Sequence, residues 1–408
     1  MAHIQDRWYK TVKLPDGKTQ RVKTALYGKG MRYKLRYDGP DGREVSESFP
    51  DKQKRRAEAR LIEVESDKQR GTYIDPKAGQ ITFKQYADGW LAAATVDELT
   101  HDRIEYELRL HVYPAFGGLP ITRAAEVSTI RGWAKRIQDA GLSAGYRRKL
   151  FEDVSMIFNA AVDDKKIGSN PFAAKTIRPP RVEPTKVVPW PTQLRAKFRV
   201  NIARRYRVAV DLGAGCGLRQ GEIFGVSPDD IDPDRPVLHV VRQVKAVRRR
   251  LIFALPKGGK TREVPLPESV AQRLKAHADV YPPLPVTLPW GSSTGEPRTV
   301  RLYLYTAAGQ ALNRPTFNSR VWKPAIRATG IADTRQNGMH VLRHTYASVL
   351  LDAGESIKAL AAYLGHTNPG FTLRIYTHLL PTSEDRTRRA IDQAFKNDPQ
   401  PGDGLETA

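Results

Sequence analysis

Cysteine is almost missing from this sequence: Cys216 stands alone among 408 residues, which rules out an intramolecular disulfide framework and any cysteine-based zinc finger. Long apolar runs are missing too. No stretch approaches a membrane span, and Met1 to Lys10 carries polar and charged residues where a secretory signal would need an apolar core. A reducing cytoplasm is therefore expected, without export or membrane insertion. Acidic residues are in deficit, 44 against 67 basic ones, for a formal charge of +23. Such an excess concentrates a polyanion and speeds its capture, so nucleic acid is the expected partner. Disorder is not the source of the charge, because 40% hydrophobic and 27% charged residues are globular proportions.

The length favours two or three domains. From Trp8 to Phe49, polar and apolar residues alternate around Pro15-Asp16-Gly17, Gly28-Lys29-Gly30 and Gly39-Pro40-Asp41-Gly42, which predicts a small sheet of short strands. Asp51 to Arg70 lacks Gly and Pro and predicts a charged helix, followed by a linker at Pro76 to Gly79. Phe83 to about Phe172 predicts a helical bundle, from apolar positions such as Ile130, Trp133, Ala134 and Ile137, and from a helix capped by Ser143 that carries Leu150, Val154, Ile157, Phe158 and Ala161. Pro179, Pro180, Pro184 and Pro189 stiffen the next linker. The largest core is expected from about Val187 to Phe395: a helix through Arg195 to Ala214, strands through Val237 to Pro265, then mostly helices. After Lys396 a polar, Pro- and Gly-rich tail is expected to be mobile.

The chemistry gathers near the C-terminus. His340-Val341-Leu342-Arg343-His344 is followed by Leu364-Gly365-His366 and then by Arg374-Ile375-Tyr376-Thr377-His378. Arginine offers a planar fork of donors for phosphate oxygens, histidine moves protons near neutral pH, and a tyrosine hydroxyl can attack phosphorus. Earlier, Gly215-Cys216-Gly217-Leu218-Arg219-Gln220-Gly221-Glu222 sets another arginine after a glycine-rich turn. Cys216 reads as a small buried residue beside it, not as a thiol nucleophile.

In this order, Arg219 with Glu222, Lys257, His340 with Arg343, His366 and Tyr376 resemble the signature of the tyrosine recombinase (phage integrase) family. The motifs span about Leu212 to Leu380. The resemblance implies a multidomain chain: an N-terminal α+β arm-binding domain (residues 1–75), an all-α core-DNA-binding domain (80–175) and a mixed α/β, mainly helical catalytic domain (187–396), ahead of the tail (397–408) whose composition predicts mobility. It implies that Arg219 and Arg343 clamp the scissile phosphate, that His366 donates a further hydrogen bond, and that Tyr376 attacks. Lys257, in the turn between strand-like Arg250 to Leu255 and Arg262 to Leu266, would protonate the departing 5′ oxygen, with Lys260 in the same turn as its rival. His340 would assist proton transfer at the tyrosine. The family does not count the position of His344 as catalytic, and on a helix that side chain points well away from Arg343, so His344 reads as structural. The partners implied are double-stranded DNA at core and arm attachment sites, a homotetramer on DNA with Ser383 to Phe395 packing in trans, and directionality and DNA-bending proteins in a bacterial cell. Fixed cations can stabilise the phosphate transition state, so no metal and no nucleotide cofactor is expected.

Each residue has a plainer reading: Arg219 and Glu222 as a surface pair, His366 as a cap, Tyr376 as packing. Only the ordered set argues against it. His340, His344 and His366 have zinc-hydrolase spacing, but Val341 stands where that motif needs its general base. Gly259-Lys260-Thr261 resembles a P-loop end without its first glycine, and Asp229-Asp230-Ile231-Asp232 has Arg235 where a calcium loop needs glycine. A tyrosine-dependent topoisomerase and a non-catalytic DNA-binding regulator are the rival functions.

Overall fold

In the computed structural model, residues 2–15, 17–39, 42–71, 73–75, 78–183, 187–377, 388 and 391–396 are described. The expected tail after Lys396, His378 and most of Ser383 to Phe395 lie outside them, as do parts of both expected linkers. Contacts divide the chain into two units, Met1–Glu183 and Pro184–Ala408.

The first unit holds two separate apolar cores. Strands β1 (His3–Asp6), β4 (Tyr33–Asp38) and β5 (Glu44–Phe49) form an antiparallel sheet in the order β1-β4-β5, and β2 (Tyr9–Lys13) pairs with β3 (Thr19–Lys23) as a hairpin. Strand alternation turns Tyr33, Leu35 and Tyr37 inward, against Ala57 and Val64 of helix α1 (Lys54–Gln69). The second core belongs to a helical bundle: α2 (Phe83–Ala93), α3 (Glu98–Glu107), α4 (Ile121–Ala124), α5 (Val127–Asp139) and α6 (Ala144–Asp163). Thr82 and Gln85 close a capping box at the start of α2, and Ser143 caps α6 by accepting from the Tyr146 N–H.

Helices α3 and α6 also bury a charged knot. Asp153 pairs with Arg103 at 2.6 Å and Lys149 at 3.0 Å, and Glu107 pairs with the same Arg103. Burial, then Asp153, pushes the Glu107 carboxyl from 4.5 up to about 7. A raised carboxyl favours the folded state most when protonated, so this contribution is present below pH 4.5 and is lost as pH rises through about 7. Denaturant midpoints measured on either side of neutrality should fall with rising pH in the wild type and less in Glu107→Gln. Parallel profiles would show that no proton is held there.

The second unit is built on helices α7 (Thr192–Asn201), α8 (Arg207–Cys216), α9 (Gln220–Phe224), α10 (Glu268–Val280), α11 (Arg314–Phe317), α12 (Lys323–Thr329), α13 (His340–Asp352), α14 (Ile357–Leu364) and α15 (Pro369–Tyr376). Its core joins Phe198, Leu212, Phe224, Trp322, Leu342 and Leu360. The single helix expected through Arg195 to Ala214 is instead two, broken around Ile202, with α7 tied back to α8 by Arg199 on the buried Asp211 carboxylate at 2.7 and 2.8 Å. The strands β6 (Val237–Val240), β7 (Gln243–Val247), β8 (Arg250–Ala254) and β9 (Arg262–Pro265) pair as β6 with β9 and β7 with β8. The turn carrying Lys257 therefore joins two strands that are not partners. A further hairpin, β10 (Leu284–Pro289) with β11 (Pro297–Leu302), interrupts the region expected to be mainly helical.

Candidate active site

Two left-handed glycines aim the site. Helix α8 ends at Gly217 with φ +64°, where a Cβ would stand 2.5 Å from the Tyr346 ring, and the chain turns there to present Arg219 at the start of α9. Helix α14 ends in the same manner at Gly365, φ +62°, which delivers His366. Both glycine carbonyls face the site: Arg343 Nη1 donates to Gly217 O at 2.7 Å, and Arg219 Nη2 to Gly365 O at 3.4 Å.

Glu222 anchors one side. Its carboxylate accepts from the Arg219 backbone N–H at 2.8 Å and from Arg219 Nη1 at 3.0 Å, and takes a bidentate pair from Arg262 of β9 at 3.0 and 2.7 Å. Burial alone would raise this carboxyl; Arg262 and then Arg219 outweigh it and hold Glu222 at about 2. Arg262 also donates from Nε to Tyr363 O at 2.7 Å, which fastens β9 to α14. Arg343 is 1% exposed on α13, and besides Gly217 it donates to Leu364 O and, at 3.1 Å, to His366 Nε2. Burial and the neighbouring Arg219 lower its affinity for its proton.

An arginine only donates, so His366 Nε2 accepts and its Nδ1–H donates to Thr372 Oγ1 at 2.7 Å. Desolvation, then Arg343 and Arg219, push His366 down to about 4. One turn after Thr372, Tyr376 is also 1% exposed, with its hydroxyl 2.8 Å from His344 Nδ1. Desolvation raises the phenol to about 12 against the opposing pull of Arg343 and Arg219. His344 is pushed down to about 3 by desolvation, His340 and Arg343, so a neutral imidazole faces the tyrosine hydroxyl. His340 packs edge-on against His344, ring centres 4.6 Å apart, and is lowered by burial, Arg343, Arg219, Arg314 and Lys257 in turn.

Arg219, Arg343, His366 and Tyr376 thus meet in one region of the second unit, with His340 one ring removed from the tyrosine hydroxyl. Lys257 and Lys260 lie exposed on the turn after β8. The buried Cys216 thiol is pushed up to about 12 by burial, as suits packing and not nucleophilic use. His344, expected to be structural from its direction relative to Arg343, touches the nucleophile candidate; that contact depends on α13 meeting α15, and the only sequence signal was its place one turn after His340. Arg262 and Thr372 were missed for the same reason. Among the described residues, the one group able to share a metal ion is His101, Asp102 and Glu105 in the helical bundle, where neighbouring polar residues on one helix account for it. His344 and His366 instead engage hydroxyls.

A phage integrase family profile matches residues 194–383. The tyrosine recombinase XerC-like protein of Caldanaerobacter subterraneus subsp. tengcongensis is 25% identical over 375 residues, covering 87% of this chain and 93% of that protein. The integrase of Mycobacterium phage FRAT1 is 26% identical over 324 residues, covering 78% and 90%. In fold, the chain is similar to the Tn1549 transposon integrase in complex with transposon right end DNA, TM-score 0.61 at 22% identity over 77% of this chain and 99% of that one. It is also similar to a lambda integrase tetramer bound to a Holliday junction, TM-score 0.52 at 15% identity, covering 82% and 93%.

Proposed function

We infer that this chain, which belongs to the phage integrase family of tyrosine recombinases, is a site-specific DNA recombinase that cuts and rejoins strands through a 3′-phosphotyrosine and a Holliday junction to integrate or excise a mobile element. The observation that carries this reading is the buried Tyr376 hydroxyl, held at His344 within the field of Arg343 and Arg219, with His366 bonded to Arg343 and Arg219 joined to the same cluster through Gly365. Guanidinium groups fixed before the reaction stabilise the charge that builds on equatorial phosphate oxygens. Scissile phosphate oxygens would take over the N–H groups that Arg343 now gives to the Gly217 and Leu364 carbonyls. His366, no longer an acceptor from Arg343, would then change tautomer, its Nδ1 accepting from the Thr372 hydroxyl and its Nε2–H donating to the phosphate. The tyrosine attacks, the 5′ oxygen leaves, and the phosphotyrosine ester keeps the bond energy for rejoining, so a 5′ hydroxyl from another strand completes the exchange.

The α1 sheet unit is assigned to arm-type sites, supported by its basic hairpin Lys10, Lys13, Arg21 and Lys23, and the helical bundle to core sites. Four copies act together on DNA, by analogy with the lambda integrase tetramer bound to a Holliday junction, with directionality and DNA-bending proteins as further partners in a bacterial cytoplasm. A nicked duplex library, with adducts recovered on a denaturing gel and sequenced, tests the reading and identifies the site. Absence of any covalent adduct overturns it, and adducts without strand exchange between two duplexes would favour a topoisomerase.

Lys257 is proposed as the acid for the leaving 5′ oxygen: an exposed turn can fold into the site when DNA is bound, and a positioned acid lowers the cost of expelling an alkoxide. Lys257→Ala should slow cleavage by ~10²-fold or more, whereas Lys260→Ala should mainly weaken binding. Sulfur in place of the bridging 5′ oxygen leaves without a proton and should restore the Lys257→Ala rate. Rescue of Lys260→Ala instead would transfer the role to Lys260.

A further inference from the structure

We propose that His344 is the proton acceptor for Tyr376: its Nδ1 lone pair holds the hydroxyl at 2.8 Å and takes its proton as the oxygen attacks phosphorus. This rests on Tyr376 being the nucleophile. The geometry is specific to one imidazole. His340 meets the His344 ring edge-on, and His366 is engaged through Nδ1 with Thr372 and through Nε2 with Arg343, whereas His344 Nδ1 meets the hydroxyl itself. The tyrosine is 1% exposed, so bulk water does not replace that acceptor.

The bonds balance without a further reactant. The tyrosine O–H bond breaks and its proton passes to His344 Nδ1, giving an imidazolium; the tyrosine oxygen forms the new P–O bond. The P–O5′ bond breaks, and the 5′ oxygen takes a proton from the acid assigned to Lys257. In rejoining, the tyrosine oxygen leaves phosphorus and recovers its proton from His344. The groups facing His344 are His340, Arg343 and His366; desolvation of the ring first, and then these neighbours, of which Arg343 carries the fixed charge, keep it neutral. A phosphate anion bound by Arg343 offsets that charge and raises the basicity of the ring when the proton must move.

The test uses the full chain in single-turnover adduct formation on the nicked duplex recovered above, with DNA retention measured alongside. His344→Ala should bind DNA and form adduct ~10²-fold more slowly or worse, the range for loss of a general base. Added imidazole should speed this variant by entering the vacated space, in proportion to its free-base concentration. His344→Asn places an amide oxygen near the Nδ1 position, so it can hold the hydroxyl but not take the proton, and should stay slow; it also covers a failure of the alanine variant to fold. A wild-type rate in either variant, or an alanine rate indifferent to imidazole, overturns the proposal. A wild-type protein that forms no adduct defeats the recombinase reading, a separate and distinguishable result.

Discussion

Replacing Tyr376 by phenylalanine is expected to abolish covalent capture of DNA while leaving DNA binding intact. The substitution removes one oxygen from a ring that is 1% exposed, so the packing of α15 is kept. What is lost is the hydrogen bond to His344 Nδ1, at a cost of about 1 kcal/mol, too little to unfold a domain of this size. The chemical loss is of another order. Without the hydroxyl, Arg219, Arg343 and His366 can still bind and polarise a phosphate but have no group to transfer it to, and adduct formation should fall by about 10⁴-fold or more, as for other deleted nucleophiles. A nicked suicide substrate on a denaturing gel measures it: the wild type should hold a 3′-phosphate link and release a 5′ hydroxyl, and the Phe variant should show a retarded band only under native conditions. A covalent band of wild-type strength in Tyr376→Phe would falsify the assignment and make another residue the nucleophile.

How much of this was legible in the sequence differs with the range of the interaction. Arg219, Arg343, His366 and Tyr376 could be named from short motifs because each residue type has a specific chemistry and their chain order is informative. The cap at Ser143 and the inward set Tyr33, Leu35 and Tyr37 were readable because helix starts and strand alternation are local. Pairings across the chain were not. The strands flanking Lys257 look like one hairpin by spacing, yet β8 turns back to β7 while β9 crosses to β6, a choice set by burial of Leu238 and Val264 on one side and Val244 and Phe253 on the other. Hairpin β10–β11 was hidden by Pro285, Pro289 and Pro297, which a two-stranded sheet tolerates where a central strand would not. His344 was set aside from its direction relative to Arg343, a correct local statement that carries no information about α15. Glu222 was visible as a neighbour of Arg219, but its second partner, Arg262, stands 40 residues along the chain.

That second partner gives the largest stability effect expected of any single change in the site. Glu222 is fully buried at its side chain, and Arg262 is 8% exposed and bound to it by two hydrogen bonds. Replacing a buried ion pair as a whole can be neutral, but removing one member strands the other in a medium that solvates it poorly. Glu222→Ala leaves the Arg262 guanidinium with the Tyr363 carbonyl as its named remaining acceptor and releases Arg219 from the contacts that fix its fork, so a loss of about 3–5 kcal/mol is expected. The pH dependence identifies the charge as the cause. Glu222 is lowered from 4.5 to about 2 on folding, so its contribution is present above pH 4.5 and is lost as pH falls towards 2. The gap between wild-type and Glu222→Ala unfolding free energies, from denaturant titrations across that window, should therefore be widest near neutrality and narrow on acidification. Glu222→Gln, which keeps the shape without the charge, should fall between the two at neutral pH. A gap that does not change with pH would mean that the lost stability comes from packing alone, and a variant as stable as the wild type would mean that Arg262 finds another anchor and that the position of Arg219 does not depend on this carboxylate.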